Sequence, residues 1–175
     1  MRKKLANNKL SVRINIDTPT PYIKNNLKLL VPSDCHKEMF PVYLKILDIG
    51  CGNGRNMKYL NKYASVCIGL DMNPTCPNSE LFNIGKDQLP TTNIGWDLIL
   101  VNYVFMFLSP KERKQLINQI KKVAGTDCKI VVELYPAKDS YISNDEEMIK
   151  MQNDLIRQLK WNILKGGKGK FIAQK

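Results

Sequence analysis

The amino-acid sequence predicts an α/β fold with a mostly parallel, doubly wound, seven-stranded sheet that ends in an antiparallel hairpin. From Lys45 onward, short apolar runs typical of buried strands alternate with segments of helical character. This alternation is the pattern of a parallel sheet covered by helices on both faces. At the end of the chain, W-N-I-L-K and K-F-I-A-Q-K flank the glycine turn G-G-K-G. Two short strands around such a turn predict the closing hairpin.

Residues 1–44 precede the alternating region, and we expect them to form a cap or lid in the same domain as residues 45–175. The segment T-P-T-P-Y-I predicts an extended start, because proline disfavours helix in the residue before it. The next residues, I-K-N-N-L-K-L-L-V, predict a short amphipathic helix, and S-D-C-H-K-E-M-F predicts a further turn of helix. A chain of 175 residues is most simply one domain with a sizeable core.

The stretch that follows combines a strand, three glycines at two-residue spacing, and a helix. The strand is K-I-L-D-I, the glycines are Gly50, Gly52 and Gly54, and the helix begins within R-N-M-K-Y-L-N-K-Y. This layout brings backbone N–H groups and a helix N-terminus towards a nucleotide-like ligand.

Four more strands are predicted before the hairpin. Asp97–Val101 is nearly continuous in apolar residues, as expected for a strand buried on both faces. The connection between the second and third strands contains two prolines and no helical period, so we expect a loop there. The predicted strands are Val66–Leu70, a short strand at Leu81 and Phe82, Asp97–Val101, and Cys128–Leu134.

Two longer helices are predicted from their N-terminal caps. Ser109 to Glu112 forms a capping box with proline at the first helical position, and Gly125 is the expected stop of that helix. Ser143 to Glu146 forms a second capping box. The methionines that follow it recur on one stripe, which indicates core packing.

Composition bounds the class of protein. The hydrophobic fraction of 43% is ordinary for a globular chain, and no apolar run reaches the roughly 20 residues that span a bilayer. The basic N-terminus is not followed by an apolar signal core, so we expect a cytoplasmic protein without membrane association. Five cysteines form no C-x-x-C pair and there is one histidine, so we expect reduced thiols and no metal site.

The net charge of +11, from 27 basic and 16 acidic residues, favours polyanionic partners such as nucleic acid or nucleotides. A solvated, lysine-rich surface gives the same composition. Charge alone does not separate these interpretations.

The glycine stretch I-L-D-I-G-C-G-N-G resembles the first motif of the class I S-adenosylmethionine-dependent methyltransferases, L-D-I-G-C-G-x-G. The spacing differs from the G-x-G-x-x-G of dinucleotide folds. A second strand ending in an acidic residue, G-L-D, also matches the family. The segment W-D-L-I-L-V-N-Y-V-F-M-F-L is similar to small methyltransferases, including the tellurite-resistance type. The resemblance runs from about Lys45 to the end of the chain and implies a small, single-domain, Rossmann-like member.

The resemblance implies S-adenosylmethionine as cofactor and a set of residues that hold it. Asp48 would lie near the ammonium group, and the loop N–H groups would meet the carboxylate. Asp71 would accept hydrogen bonds from both ribose hydroxyls. The family's usual adenine-contacting Asp is absent, and the nearest candidates are Asn83 and Ile84, of which we choose Asn83. The predicted cofactor-binding residues are Asp48, Gly50, Cys51, Gly52, Gly54, Asp71, Met72, Asn83 and Asn102.

Residues at the carboxyl ends of the fourth and fifth strands would face the acceptor. We expect Asn102 and Tyr103 to be the catalytic, acceptor-side residues. Glu133 lies in an apolar strand and needs a partner, so an ion pair with a neighbour competes with a catalytic role. The remaining candidates at these strand ends are Tyr135 and Asp139, whereas Phe105 and Phe107 are expected to pack under the following helix.

The predicted function is methyl transfer to an acceptor, with nucleic acid or a nucleotide slightly favoured by the charge. A small-molecule methyltransferase of the tellurite-resistance type is the alternative, as is a non-catalytic protein that binds the cofactor or nucleic acid. Asn102-Tyr103-Val104-Phe105 lacks the prolines of the Asn/Asp-Pro-Pro-Tyr/Phe motif of DNA amino-methyltransferases, so that activity is not predicted.

Overall fold

The computed structural model describes residues 18–33 and 43–175, and in them a seven-stranded sheet with helices on both faces. The strands are β1 (Leu44–Ile49), β2 (Ala64–Asp71), β3 (Ser79–Leu81), β4 (Trp96–Asn102), β5 (Ala124–Glu133), β6 (Asn162–Gly167) and β7 (Lys170–Gln174). The helices are α1 (Pro21–Asn25), α2 (Leu27–Leu30), α3 (Arg55–Leu60), α4 (Pro110–Val123) and α5 (Asp145–Leu159), with single 3₁₀ turns at Asn61–Tyr63 and Phe105–Phe107.

The strand order is β3-β2-β1-β4-β5-β7-β6, and it confirms the predicted architecture. Strands β1 to β5 are parallel, and β7 inserts antiparallel between β5 and β6. From β1 the chain first builds β2 and β3 on one side, and then β4 and β5 on the other. The direction of winding therefore reverses between β1 and β4, and a ligand crevice is expected beyond the carboxyl ends of these two strands.

Side chains of successive strand residues point alternately to the two faces of the sheet, and each face has its own hydrophobic core. Leu47 and Ile99 point to the face covered by α4 and α5, whereas Ile46 and Leu98 point to the face covered by α1, α2 and α3. The described part of the N-terminal segment, residues 18–33, thus packs against the sheet through buried residues such as Ile23.

Helix α4 begins as predicted but ends differently. Ser109 accepts a hydrogen bond from the Glu112 N–H, and the Glu112 carboxylate accepts one from the Ser109 N–H at 2.8 Å. The prediction that Gly125 stops the helix is wrong, because Val123 is the last helical residue and Gly125 already belongs to β5. A Cβ on Gly95 would lie 2.4 Å from the Gly125 nitrogen, so these glycines allow a close backbone approach where β4 and β5 begin.

Helix α5 begins one residue later than its predicted capping box. Asn144 is the N-cap and accepts a hydrogen bond from the Glu147 N–H at 2.9 Å. The Ser143 N–H donates in turn to the Glu147 carboxylate at 2.7 Å. The predicted cap, Ser143 with Glu146, therefore lies one position before the observed cap, Asn144 with Glu147.

The N-terminal helix begins earlier than predicted, at Pro21 within the segment expected to be extended, and it is interrupted. It divides into α1 and α2 at Asn26, whose side-chain amide donates to the Tyr22 carbonyl at 2.7 Å. The turn of helix predicted within S-D-C-H-K-E-M-F falls mostly outside the described residues. The connection from β2 to β3 contains no helix, as predicted.

None of the helices in the described ranges has both the length and the apolar character that crossing a membrane requires.

Candidate active site

The three glycines after β1 form a tight loop at the carboxyl edge of the sheet. All three have positive φ, +76° at Gly50, +55° at Gly52 and +74° at Gly54, a region that favours glycine. The Gly50 N–H donates to the Leu70 carbonyl at 2.6 Å, which ties the loop to the end of β2. A Cβ on Gly50 would lie 2.2 Å from Val104 Cγ2, whereas a Cβ on Gly52 would meet no atom within 4 Å. The loop is therefore packed from below at Gly50 and open at Gly52.

Asp71 ends β2 beside this loop. Its Oδ2 accepts a hydrogen bond from the Gly52 N–H at 2.9 Å, and its Oδ1 accepts one from the Asn73 N–H at 2.9 Å. These bonds fix the carboxylate at the mouth of a cavity of about 360 Å³. Each oxygen keeps a second lone pair for a ligand hydroxyl.

This first cavity has largely apolar walls. It is lined by Ile49, Gly50, Leu70, Asp71, Met72, Asn73, Phe82, Ile84, Tyr103, Val104, Phe107, Leu108 and Glu112. Asn83 is not among the lining residues, and its N–H donates to the Asp87 carboxylate at 2.6 Å. Ile84, the other candidate for an adenine contact, does line the cavity. Phe107 is 48% exposed there, whereas Phe105 is fully buried, so the expectation that both pack under the next helix holds for Phe105 alone.

A second cavity of about 320 Å³ lies over the glycine loop. It is lined by Gly50, Cys51, Gly52, Asn53, Arg55, Asn56, Asn102 and Tyr103. The Cys51 thiol packs below, 4.0 Å from the Cys76 sulfur. Gly54 lies outside this cavity, where a Cβ on it would come 2.7 Å from that same Cys76 sulfur.

Asp48 lies beneath the loop and lines none of these cavities. It is 1% exposed, and its Oδ2 has no hydrogen-bond partner within the described residues. Burial raises the pKa of this carboxyl group to about 7, while the positive charge of Arg55 lowers it and Asp71 raises it. Asn102 Oδ1 is likewise buried without a partner in the described part of the chain.

These two oxygens test whether the site fits the implied cofactor. A buried acceptor without a hydrogen-bond partner costs about 1–3 kcal/mol of folding stability, so each such oxygen needs a structural or functional explanation. Asn102 borders the second cavity, where the ammonium group of S-adenosylmethionine would supply a donor to its Oδ1, whereas Asp48 lies beneath the loop and would act on that group through its charge. Together with the open space at Gly52 and the carboxylate of Asp71, they fit an amino-acid group on one side and a ribose on the other.

On the other side of the crevice, Glu133 joins three side chains from distant parts of the sequence. Its Oε1 accepts hydrogen bonds from the Thr20 hydroxyl at 2.5 Å and the Asn102 amide at 2.6 Å. Its Oε2 accepts one from the Tyr103 hydroxyl at 3.1 Å. Burial raises the pKa of Glu133, and the hydrogen bonds from Thr20 and Tyr103 oppose that rise. The predicted ion pair is absent from the described residues, because the partners are neutral hydroxyl and amide groups.

Tyr103 is held in an uncommon backbone conformation at the centre of the crevice. Its φ is +62°, and its N–H donates to the Glu133 carbonyl at 2.8 Å. Burial and the neighbouring Glu133 raise the pKa of its phenol, so the hydroxyl stays protonated at neutral pH. The Arg55 guanidinium lies 5.8 Å from its ring centroid, and the Tyr135 ring meets it edge-on at 5.2 Å. Strained residues of this kind concentrate at functional sites.

A third cavity, of about 470 Å³, opens beyond Tyr103. It is lined by Thr20, Pro21, Arg55, Tyr103, Glu133, Leu134, Tyr135, Lys168, Gly169 and Lys170. Tyr103 is shared by all three cavities, and Arg55 joins the second to the third. Asp139 lies in an exposed turn and lines none of the three.

Sequence reasoning missed Thr20, Arg55 and Lys170 as site residues. Arg55 directly follows the last glycine, so its position at the helix start was a usable signal. Thr20 reaches the site from the N-terminal segment, and Lys170 reaches it because β7 pairs with β5 and sets Lys170 opposite Glu133. Nothing local in the sequence indicates either contact.

Comparison with protein families gives a match to the family described as Methyltransferase domain, over residues 47–132. The matched stretch contains the glycine loop, Asp71 and the strand end at Asn102. This match covers just under half of the chain, and the order and directions of the strands are the fold of the S-adenosylmethionine-dependent methyltransferases among the solved structures. The cofactor predicted from the sequence, S-adenosylmethionine, is bound in a solved structure of similar fold, the magnesium protoporphyrin IX methyltransferase of Synechocystis PCC 6803. A search of curated proteins finds no match.

Solved structures show the same fold at low sequence identity. TehB from Haemophilus influenzae is 20% identical with a TM-score of 0.57, and the match covers 76% of this chain and 58% of TehB. A TehB-like SAM-dependent methyltransferase from Corynebacterium glutamicum is 22% identical with a TM-score of 0.57, covering 78% and 81% of the two chains. A Burkholderia thailandensis 1,6-didemethyltoxoflavin-N1-methyltransferase, with bound 1,6-didemethyltoxoflavin and S-adenosylhomocysteine, is 12% identical with a TM-score of 0.58, covering 76% and 71%. This chain thus spans little more than half the length of TehB.

Proposed function

We propose that this protein transfers a methyl group from S-adenosylmethionine to a small-molecule acceptor. The observation that carries the proposal is the row of three cavities along the carboxyl edge of the sheet, joined at Tyr103. The first two suit the adenosine and amino-acid parts of the cofactor, and the third is left for an acceptor.

On the cofactor side, each contact follows from the local backbone. Asp71 accepts hydrogen bonds from the ribose hydroxyls with the lone pairs that Gly52 and Asn73 leave free. The apolar wall with Ile84 and Met72 takes the adenine ring. The open face of the loop at Gly52 receives the amino-acid part of the cofactor, and Asn102 Oδ1 accepts from its ammonium group. When bound, S-adenosylmethionine supplies a methyl group that is already activated by its sulfonium.

On the acceptor side, Tyr103 and Glu133 would remove the proton that the acceptor loses. The Tyr103 hydroxyl donates to Glu133 and keeps its own lone pairs for an acceptor N–H or O–H group. Methylation of an N–H or O–H group would break the bond between the methyl carbon and the cofactor's sulfur, leave S-adenosylhomocysteine, and release the acceptor's proton. The Tyr103 oxygen would accept that proton while its own proton passes to Glu133. The raised pKa of Glu133 supports this role, because it brings the carboxyl nearer to the pH at which a base works well. Asn102 holds Glu133 in place through its amide.

A small-molecule acceptor is favoured over nucleic acid by the size of the third cavity. A volume of about 470 Å³ is within the usual range for sites that enclose one small ligand. The B. thailandensis methyltransferase of similar fold holds bound 1,6-didemethyltoxoflavin. The net charge of +11 favours a nucleic-acid or nucleotide acceptor, which is the second candidate. Without methyl transfer, the same charge favours a protein that only binds nucleic acid.

The cofactor assignment is tested by calorimetric titration with S-adenosylhomocysteine and with NAD. We expect binding of S-adenosylhomocysteine alone, and a loss of at least about tenfold in affinity for Asp71→Asn, about 1.4 kcal/mol. Asp127→Asn is the matched control, because Asp127 is exposed and lies outside the three cavities. Equal losses in both variants, or tighter binding of NAD, would contradict the assignment.

The acceptor class is tested by transfer of a radiolabelled methyl group from S-adenosylmethionine into separated small-molecule, RNA, DNA and protein fractions of a cell extract. We expect label in the small-molecule fraction, and little transfer by Tyr103→Phe. Label confined to RNA or DNA would favour the second candidate. Cofactor binding with no labelled fraction would favour the non-catalytic alternative.

A further inference from the structure

We infer that the acceptor is a small planar molecule with an anionic group, held with its charge against Arg55 and Lys170 and its ring against Tyr135. This inference rests on the proposed function for its description of the ligand as the acceptor. The ligand chemistry itself follows from the walls of the third cavity.

The first wall is cationic. Arg55 enters from the start of α3, and Lys170 enters from β7, where its Cα is paired with that of Glu133. Lys168, at the same cavity, forms an ion pair with Asp145. Among the described residues, no carboxylate forms an ion pair with Arg55 or Lys170.

Glu133 is the only acidic residue among the described residues that line this cavity. Its single negative charge faces both Arg55 and Lys170 on the cavity wall, and the nearest further carboxyl group to act on Arg55, that of Asp48, is buried beneath the loop and outside the cavity. An anion brought into a partly enclosed site with an excess positive charge gains more than at an open surface, because solvent screens it less. An arginine adds geometric preference, since its planar fork matches a carboxylate or phosphate.

The second wall is aromatic. The Tyr103 and Tyr135 rings meet at 81°, so they form a corner rather than a parallel stack. One side of the Tyr103 ring lies towards Arg55, and Tyr135 is 46% exposed at the cavity wall. An exposed aromatic face beside a site of this size is suited to stacking against a flat ring. Placing the ring on Tyr135 also keeps the acceptor atom beside the Tyr103 hydroxyl.

The test uses four probes that separate charge from shape: benzoate, 2-naphthoate, and the neutral amides benzamide and 2-naphthamide. Each is titrated into the full chain by calorimetry, with and without saturating S-adenosylhomocysteine. We expect the carboxylates to bind at least about fivefold more tightly than the matching amides. We expect Lys170→Gln to remove most of that difference and to leave the affinity for the amides unchanged.

Lys165→Gln is the matched control for charge, because Lys165 is an exposed lysine of the same hairpin that does not line the cavity. It removes the same charge and should leave all four affinities unchanged. For the ring, Tyr135→Ala should weaken both naphthyl probes, and Tyr135→Phe should restore them. Circular dichroism spectra identical to that of the wild type would show that each variant is folded.

Equal affinity for carboxylates and amides would overturn the inference, as would no binding by any of the four probes. An equal effect of Lys165→Gln and Lys170→Gln would also overturn it, because general charge would then account for the binding. If S-adenosylhomocysteine fails to bind while the Lys170-dependent preference for carboxylates remains, the proposed function fails and the anionic site stands. If S-adenosylhomocysteine binds and the preference for carboxylates is absent, the inference of an anionic acceptor fails and the proposed cofactor site stands.

Discussion

The two sides of the crevice are built in different ways. The backbone and carboxylate groups of the cofactor side come mainly from the glycine loop, the end of β2 and the turn after it, while the end of β4 adds Asn102 and part of the apolar wall. The acceptor side comes from side chains that are far apart in the sequence, and Thr20 and Glu133 are 113 residues apart. The first side is therefore encoded locally, and the second depends on the complete sheet being assembled.

This difference predicts different sensitivities. Backbone changes at the glycines should damage the cofactor side, because their conformations admit few other residues. Changes to buried polar side chains should damage the acceptor side, because each removes a partner from a shared hydrogen-bond network.

The largest expected effect is that of Gly50→Ala. The new Cβ would lie 2.2 Å from Val104 Cγ2 at a φ of +76°, so backbone strain and overpacking add. Because Val104 is β-branched, its χ1 rotamers are restricted and its side chain does not move aside easily. We expect a loss of about 3 kcal/mol in the free energy of unfolding. Urea denaturation measures it, and affinity for S-adenosylhomocysteine should be lost in parallel.

Gly52→Ala is the matched control for that variant. Its φ is also positive, but the added Cβ would meet no atom within 4 Å. We expect about 1 kcal/mol of destabilisation from strain alone, with a loss of cofactor affinity larger than the loss of stability. Equal destabilisation at the two glycines would show that packing against Val104 does not distinguish them.

The next effect concerns the pH dependence of Asp48. Its pKa is about 7 in the folded chain and 3.8 in the reference state. Between these values the unfolded chain releases the proton while the folded chain retains it, so stability falls as pH rises and then levels off above about pH 7. From about pH 5 to about pH 7 this residue should account for a loss of about 2 kcal/mol.

Asp48→Asn isolates this contribution, because the other titrating groups remain in both proteins. The difference in unfolding free energy between the variant and the wild type, from urea titrations at several pH values, should grow in favour of the variant up to about pH 7. A difference that does not change with pH would mean that Asp48 is ionised throughout. In the wild type, affinity for S-adenosylhomocysteine should rise through the same range as the carboxylate forms.

The contrast between the two sides also explains how much the sequence could predict. Apolar periodicity, helix caps and the glycine motif act over a few residues, so they predicted the sheet, the start of α4, and the placement of Asp71 beside the loop. The misplaced end of α4 shows the limit of local rules, because Gly125 serves a backbone contact with Gly95 rather than a helix stop. Thr20 and Lys170 depend on packing and strand pairing that no local pattern specifies.

A smaller effect is expected for Thr20→Val, which tests the long-range side directly. The variant keeps the shape but removes the hydroxyl that donates to Glu133 and caps α1 through the Ile23 N–H. We expect about 1.5 kcal/mol of destabilisation in urea, from the lost cap and from the loss of one of the two hydrogen bonds that Glu133 Oε1 accepts. Thr20→Ser should restore most of it. Affinity for S-adenosylhomocysteine should be nearly unchanged, and a large loss would mean that the two sides are not independent.

The smallest effect is expected for Asp145→Asn, which frees Lys168 at the rim of the acceptor cavity. Both partners of this ion pair are more than half exposed, at 59% and 58%, so its loss should change stability by no more than about 0.5 kcal/mol. The freed lysine adds a third unpaired cation, and 2-naphthoate affinity should rise about twofold at low salt and return to the wild-type value as salt screens the charge. Asp154→Asn is the matched control, because it breaks the Asp154–Arg157 pair on the same helix, away from the cavity. A rise in both variants would show that the probe responds to net charge and not to the wall that holds Arg55 and Lys170.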